Sequence, residues 1–391
     1  MVTRKHVSRR KNNGDAVNRF LLTLAVPLFF LCTVYIGTNG AVPLEKIAMF
    51  SASLALPQGT AEVLKNELSR ATQENDATFD APVFIPIQNR VQVPTTPAKT
   101  PSETDTPADI LKMMQEAETV FANAEKSGNI VEKQYDAANA TDTYENITVR
   151  NTTPTHSIAI KSAVEKRAAL QIADKSAPTV LIFHTHTTES YELLNYGWYT
   201  TDYVTRSNSP DRNTVRVGTA ICEELTKMGI GVVHDKEIHD TQYTGAYDRS
   251  RESIEKIMAQ NPSIQVVIDV HRDAIKQSDG TRIKPTAEIN GKKAAQIMII
   301  TGCEDGKVTA FPRWEENLTF ALQLQKTAET NYPGLMRPVL FSARKYNMDI
   351  TPCSVLLEMG SDANTLEEAE YSGHLIGKAL GELLLKYSEN G

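Results

Sequence analysis

Three short apolar runs in this 391-residue chain end in residues that can bind a metal or carry a proton. Residues 180–183 (VLIF) pass straight into His184, Thr185 and His186, with Glu189 and Glu192 close behind. The run 264–270 (IQVVIDV) ends in His271, and 355–357 (VLL) ends in Glu358. Imidazole and carboxylate are ligands of catalytic zinc, which takes three protein ligands and leaves a position for water or substrate. Water on such a metal ionises near neutral pH and can attack a carbonyl, while a carboxylate outside the ligand set moves protons. His186, Glu189 and His271 stand out together. His184 could ligate, or could orient a neighbour through its second ring nitrogen, and is placed in that supporting role. His234, His239 and His374 read as hydrogen-bonded structural residues, and His6 and His156 fall outside the core of the domain.

Two other motifs fail. His271-Arg-Asp273 matches the kinase catalytic triplet, but the following residues, AIKQSDG, lack its Leu and Asn. No G-x-S-x-G is present for a serine hydrolase.

The elements that must position these residues alternate in type. Strands are expected at 179–183, 230–235, 264–271, 295–302 and 355–360, and helices at 213–229, 247–262, 312–334 and 365–387. Asp211 or Asn213 can cap the first helix, and Gly229 sits where it should stop. The fold class is α/β: a single mixed, mostly parallel twisted sheet with helices on both faces. Such sheets bind ligands beyond the carboxyl ends of their strands, where the candidate residues fall.

The remaining chain is organised differently. Residues 1–19 carry six Arg or Lys against one acid, and 20–37 (FLLTLAVPLFFLCTVYIG) carry no charge. As a helix those eighteen residues reach ~27 Å, just short of a typical hydrocarbon core. Basic residues stay cytoplasmic, so the reading is a tail at 1–19, a transmembrane anchor at 20–37 and an extracytoplasmic remainder. A cleaved signal peptide is the alternative, since small residues follow the span. Residues 42–70 have helical spacing, and 80–107 are rich in Pro and Thr. A juxtamembrane region and flexible linker is therefore placed at 38–145, before a catalytic domain at 146–391. Within the linker, 107–128 reads as a docking helix or a marginal solvated one.

The net charge of −7 becomes about −12 once the basic tail is set aside, which argues against a nucleic-acid partner. Cys222, Cys303 and Cys353 form neither a CxxC nor a disulfide framework and read as buried free thiols. Arg272, directly after His271, could hold a substrate carboxylate or make an intradomain ion pair. Arg249 opens a helix beside Asp248, and the aromatic loop 196–211 (YGWYTTDYVTRSNSPD) could line a glycan groove or simply pack.

The stretches FHTHTTESY, YDRSRESI, VVIDVHRDA and LLEMGSDANTLEEA resemble the stage II sporulation protein P family of endospore-forming bacteria, over roughly 148–388. That family is similar to zinc-dependent N-acetylmuramoyl-L-alanine amidases. The resemblance places the first metal histidine at His186, the second at His271, and the catalytic carboxylate at Glu358. Those amidases take a ligand Glu just before the first helix, where this chain reads SPDRNTV; Glu189 is the nearest substitute and Glu192 the reserve. It implies Zn2+ as cofactor and peptidoglycan as substrate, with cleavage between N-acetylmuramic acid and L-alanine and endopeptidase action on peptide crosslinks. It also implies work in engulfment at the mother-cell membrane. The implied partners are a membrane-anchored lytic transglycosylase, stage II sporulation protein D, and a multispanning sporulation membrane protein. A zinc peptidase or deacylase on another substrate, and a non-enzymatic peptidoglycan-binding scaffold, stand as the competing readings.

Overall fold

The computed structural model describes residues 106–201, 205–306 and 308–388. Its elements begin with α1 (Ala108–Phe121), β1 (Lys126–Lys133), β2 (Asp142–Tyr144), β3 (Ile147–Asn151) and α2 (Ile160–Glu165). Next come β4 (Pro178–Phe183), β5 (Trp198–Thr200), α3 (Thr214–Lys227), β6 (Gly231–His234), α4 (Ala246–Gln260) and β7 (Val266–Asp273). The chain continues through β8 (Arg282–Ile289), β9 (Lys292–Ala295), β10 (Ile297–Gly302) and α5 (Trp314–Asn331). It closes with β11 (Val339–Ser342), β12 (Cys353–Ser361) and α6 (Leu366–Ser388).

An eight-stranded sheet of order β2-β3-β11-β10-β12-β7-β4-β6 forms the body. β12, β7, β4 and β6 run parallel to one another, and β10, β11 and β3 form a second parallel set. The sets meet antiparallel at β10 and β12. Central strands need apolar residues on both faces, which is why β7 and β12 are buried along their whole length.

The expected helices and strands are present with shifts of a few residues. Asn213, not Asp211, caps α3, its side chain accepting from Val215 N at 3.0 Å, and Gly229 (φ 75°) ends the helix. α6 begins with a reciprocal cap: Thr365 N donates to Glu368 Oε2 at 3.1 Å, and Glu368 N donates to Thr365 Oγ1 at 3.3 Å. Much of the stretch SDANTLEE therefore holds the end of β12 against the start of α6.

Two expectations need correction. The sheet is not single: β5, β1, β8 and β9 make a second, four-stranded sheet. β8 reads RIKPTAEI and β1 reads KSGNIVEK, so neither shows an apolar run. Lys284 can nevertheless be fully buried in β8, because its ammonium lies 2.7 Å from Glu368 Oε1 and 3.0 Å from Asn195 Oδ1. Second, the segment expected as linker up to 145 is folded from Ala108 onward. α1 docks through buried Ile110 and an Asp109–Arg216 ion pair, and β1 and β2 are paired strands. The basic tail 1–19, the apolar span 20–37 and the helical spacing at 42–70 lie outside the described residues, as does the proline-rich segment up to 105. Among the described residues, no helix is long and apolar enough to cross a membrane.

Gly360 (φ 75°) turns the chain at the end of β12, and a Cβ there would stand 2.6 Å from Asn364 Oδ1. Gly360→Ala is expected to lower stability by about 1–3 kcal/mol, read from denaturant unfolding, through left-handed strain and the clash together.

Candidate active site

β12, β7 and β4 are consecutive in the sheet and parallel, with Phe183 opposite Asp269 and His271 opposite Glu358. Their carboxyl ends thus deliver segment 184–192, His271 and Glu358 to one place. His186, Glu189, His271 and Glu358 are all buried there. Glu189 Oε2 lies 3.3 Å from His271 Nδ1 and accepts the Arg272 backbone N–H at 3.1 Å. The His186 and His271 rings stand perpendicular, their centroids 5.3 Å apart. His186 Nδ1 and Glu358 Oε2 are buried with no hydrogen-bond partner.

The charge states follow from burial and neighbours. Burial lowers the His186 pKa to about 4, so the ring is neutral near pH 7 and able to ligate. Burial alone would raise Glu189, but the Arg272 guanidinium and His271 hold it well below the usual carboxylate range. Burial alone would lower His271, but Asp269 and Glu189 push it well above its ordinary value. Burial, reinforced by Asp273, raises Glu358 to about 8.

Several neighbours were not singled out from the sequence. Asp269 Oδ1 lies 2.9 Å from His271 Nε2, at an angle that makes no hydrogen bond. The same carboxylate accepts Thr185 N at 2.9 Å and Thr185 Oγ1 at 2.7 Å. The signal was available: Asp269, His271 and Asp273 alternate along β7 and so share one face. Asp273 pairs with Arg337 at 2.9 Å. Asp240, whose Oδ2 is 4.0 Å from His186 Nδ1, binds Arg206 and Thr188 and comes from a loop without periodicity. Tyr243 stacks on His186 at 4.6 Å, and Tyr247 stands between His271 and Tyr346.

Other sequence candidates face elsewhere. His184 is turned into the core, Nδ1 against the Val270 carbonyl and Nε2 against His234 Nε2, each at 2.9 Å. It therefore orients no candidate ligand through its ring. Arg272 cannot reach a substrate carboxylate, because its guanidinium donates to Ser190 O and Thr205 O beside Glu189. Arg249 donates to the carbonyls of His239, Gln242 and Thr244 and so shapes the loop before α4. Glu192 sits away from His186 and His271, near Asp362 and Arg282. In the aromatic loop, Tyr196 and Trp198 pack on Phe121 of α1, at 5.2 and 5.3 Å; 202–204 lie outside the described residues.

Comparison with known proteins gives this arrangement a context. The family profile described as Stage II sporulation protein P (SpoIIP) matches residues 80–381. The chain belongs to that family. A curated relative from Bacillus subtilis (strain 168), Stage II sporulation protein P, is 31% identical over 216 residues, 52% of this chain and 50% of the relative. The chain thus spans about half the length of that relative. Among solved structures, the N-acetylmuramoyl-L-alanine amidase AmiC2 of Nostoc punctiforme matches at 12% identity and TM-score 0.31, over 54% of this chain and 98% of that one. The CwlD amidase of Clostridioides difficile, solved with the GerS lipoprotein, matches at 14% and 0.32, over 55% and 100%.

Among the described residues, no group of three or more His, Cys, Asp or Glu side chains is placed so that it could hold a metal ion. The chemistry of the candidate donors, two imidazoles and a carboxylate, is nevertheless of the kind zinc takes. The 3.3 Å between Glu189 Oε2 and His271 Nδ1 is close to the edge of a tetrahedron whose ligands sit ~2.0–2.2 Å from its centre. His186 adds an orphaned Nδ1. The proton that His271 retains between Glu189 and Asp269 supplies positive charge that a bound cation would supply instead.

Asp269→Asn removes the charge that does most to raise the His271 pKa and is expected to lower that pKa in metal-free protein, read from the imidazole proton shifts against pH. In metal-free protein, folded Glu358 holds its proton more tightly than the unfolded chain, so its contribution to stability falls as pH rises from its ordinary 4.5 towards about 8. Glu358→Gln removes that loss, and its melting temperature in chelator should decline less than wild type across this window.

Proposed function

We propose that this chain is a zinc-dependent peptidoglycan hydrolase, an N-acetylmuramoyl-L-alanine amidase that also cleaves stem-peptide crosslinks during engulfment. The observation that carries the reading is the meeting of two imidazoles and a carboxylate with a second carboxylate, one of whose oxygens has no partner, on adjacent strand ends. Membership of the sporulation family supports the biological setting. His186, Glu189 and His271 would hold the metal, whose bound form supplies Lewis acidity at the scissile carbonyl and acidifies water.

The protein's own groups do the rest. Glu189 is held in place by the Arg272 backbone N–H, and the Arg272 guanidinium with His271 keeps its carboxylate ionised. Glu358 Oε2 has no competing partner, so it can take a proton from water and return it to the leaving amine. Its raised pKa keeps the proton transferable near neutrality. Tyr243 and Tyr247 wall the His186 ring and limit the water around it.

The basic tail and apolar span would anchor the enzyme in the mother-cell membrane with its catalytic domain outside the cytoplasm. A membrane-anchored lytic transglycosylase (stage II sporulation protein D) and a multispanning sporulation membrane protein would be its partners there.

Wild type should bind about one zinc per chain and release stem peptides from purified peptidoglycan. His186→Ala should lose both metal and activity. Glu358→Gln should keep metal and lose activity by about 100-fold or more, the scale of a general acid–base contribution. A wild type that holds no metal yet binds glycan strands would replace this reading with a scaffold.

A further inference from the structure

The segment that carries Glu189 towards the site carries Glu192 towards a different space. A cavity of about 390 Å³ lies between α1 and this segment, within the ~300–1,000 Å³ span of small-ligand sites. Met113, Ala117 and Phe121 of α1 form an apolar wall, and Tyr191, Glu192 and Arg212 face them. Glu192 Oε1 and Tyr191 Oη are each buried without a hydrogen-bond partner. A buried polar group left so is uncompensated in the free protein. Glu192 is held in place through its backbone, its N–H donating to Asn364 O and its carbonyl accepting from Leu366 N.

The charged groups of the cavity define what it can take. Glu192 lies inside, Glu116 lines it from the exposed side of α1, and the exposed Arg212 guanidinium completes it. Two acids and one cation around an apolar wall suit a molecule with an ammonium, a carboxylate and a small apolar body. We propose that this cavity binds a free amino acid or short peptide as its zwitterion, ammonium at Glu192 and Glu116, carboxylate at Arg212. The side chain rests on Met113, Ala117 and Phe121. The site is separate from His186 and His271, and the inference does not rest on the hydrolytic reading. Burial raises the Glu192 pKa to about 7, so ammonium binding below that pH would release a proton.

The test is calorimetric titration of the full chain with alanyl-alanine, its N-acetyl derivative and its C-terminal amide. Wild type should bind the free dipeptide saturably and each blocked form about tenfold more weakly or worse, the effect of losing one charge-assisted hydrogen bond. Glu192→Gln and Arg212→Ala should each weaken the free dipeptide by a similar factor, and Ala117→Trp should abolish binding by filling the space. His186→Ala should bind as wild type does, which separates this site from the metal cluster. Arg212 is exposed, so its variant reports on binding without a folding defect, and a thermal melt of each variant confirms this. Absence of saturable binding to wild type, or affinity unchanged in both Glu192→Gln and Arg212→Ala, overturns the proposal.

Discussion

Everything at the site depends on a buried carboxylate that joins two strands. Asp269 accepts both the backbone N–H and the hydroxyl of Thr185, fixing the point at which the chain leaves β4 relative to β7. Its Oδ1 also lies against His271 Nε2. One side chain therefore sets where the His186 loop begins and what faces the second imidazole. Because β12 lies on the other side of β7 in parallel register, Glu358 takes its position from the same strand. Removing Asp269 would disturb the turn and the ring together.

The charge arrangement explains why so many ionisable groups can share a dry space. Glu189 is answered by the Arg272 N–H and nearby guanidinium groups, Asp240 by Arg206, and Asp273 by Arg337. Burial of a charge is costly unless it is paired and hydrogen-bonded, and these contacts meet that requirement. Glu358 is the exception: it keeps an oxygen without a partner and a raised pKa. Perturbed acids of this kind gather where protons must be moved.

The central strands were legible because burial on both faces writes an apolar run that ends where the chemistry starts, as in residues 180–186 and 355–358. His186, His271 and Glu358 were singled out from that signal and Glu189 by its nearness, and the structure brings the four into one buried place. The second sheet was not legible: Lys284 in β8 is accommodated by Glu368, far away in sequence, and Glu288 is exposed. The same limit applies to Asp240 and Arg206, which loops bring to the site with no period to betray them. Of the two roles left open for Arg272, the structure shows the intradomain one: the carbonyls of Ser190 and Thr205 and the Glu189 carboxylate already use it.

The described N-terminal segment has a further meaning for how the molecule forms. Thr106 bonds Glu367, and β1 lies between β5 and β8, so early residues are completed only by residues far downstream. A ribosome delivers the chain from its N-terminus, leaving α1 and β1 without their final neighbours until much of the remainder has emerged. Closing such long-range contacts is slow, and transiently uncovered apolar surface favours aggregation. In this architecture, the segment from Thr106 to β1 is therefore among the last parts to gain its final neighbours.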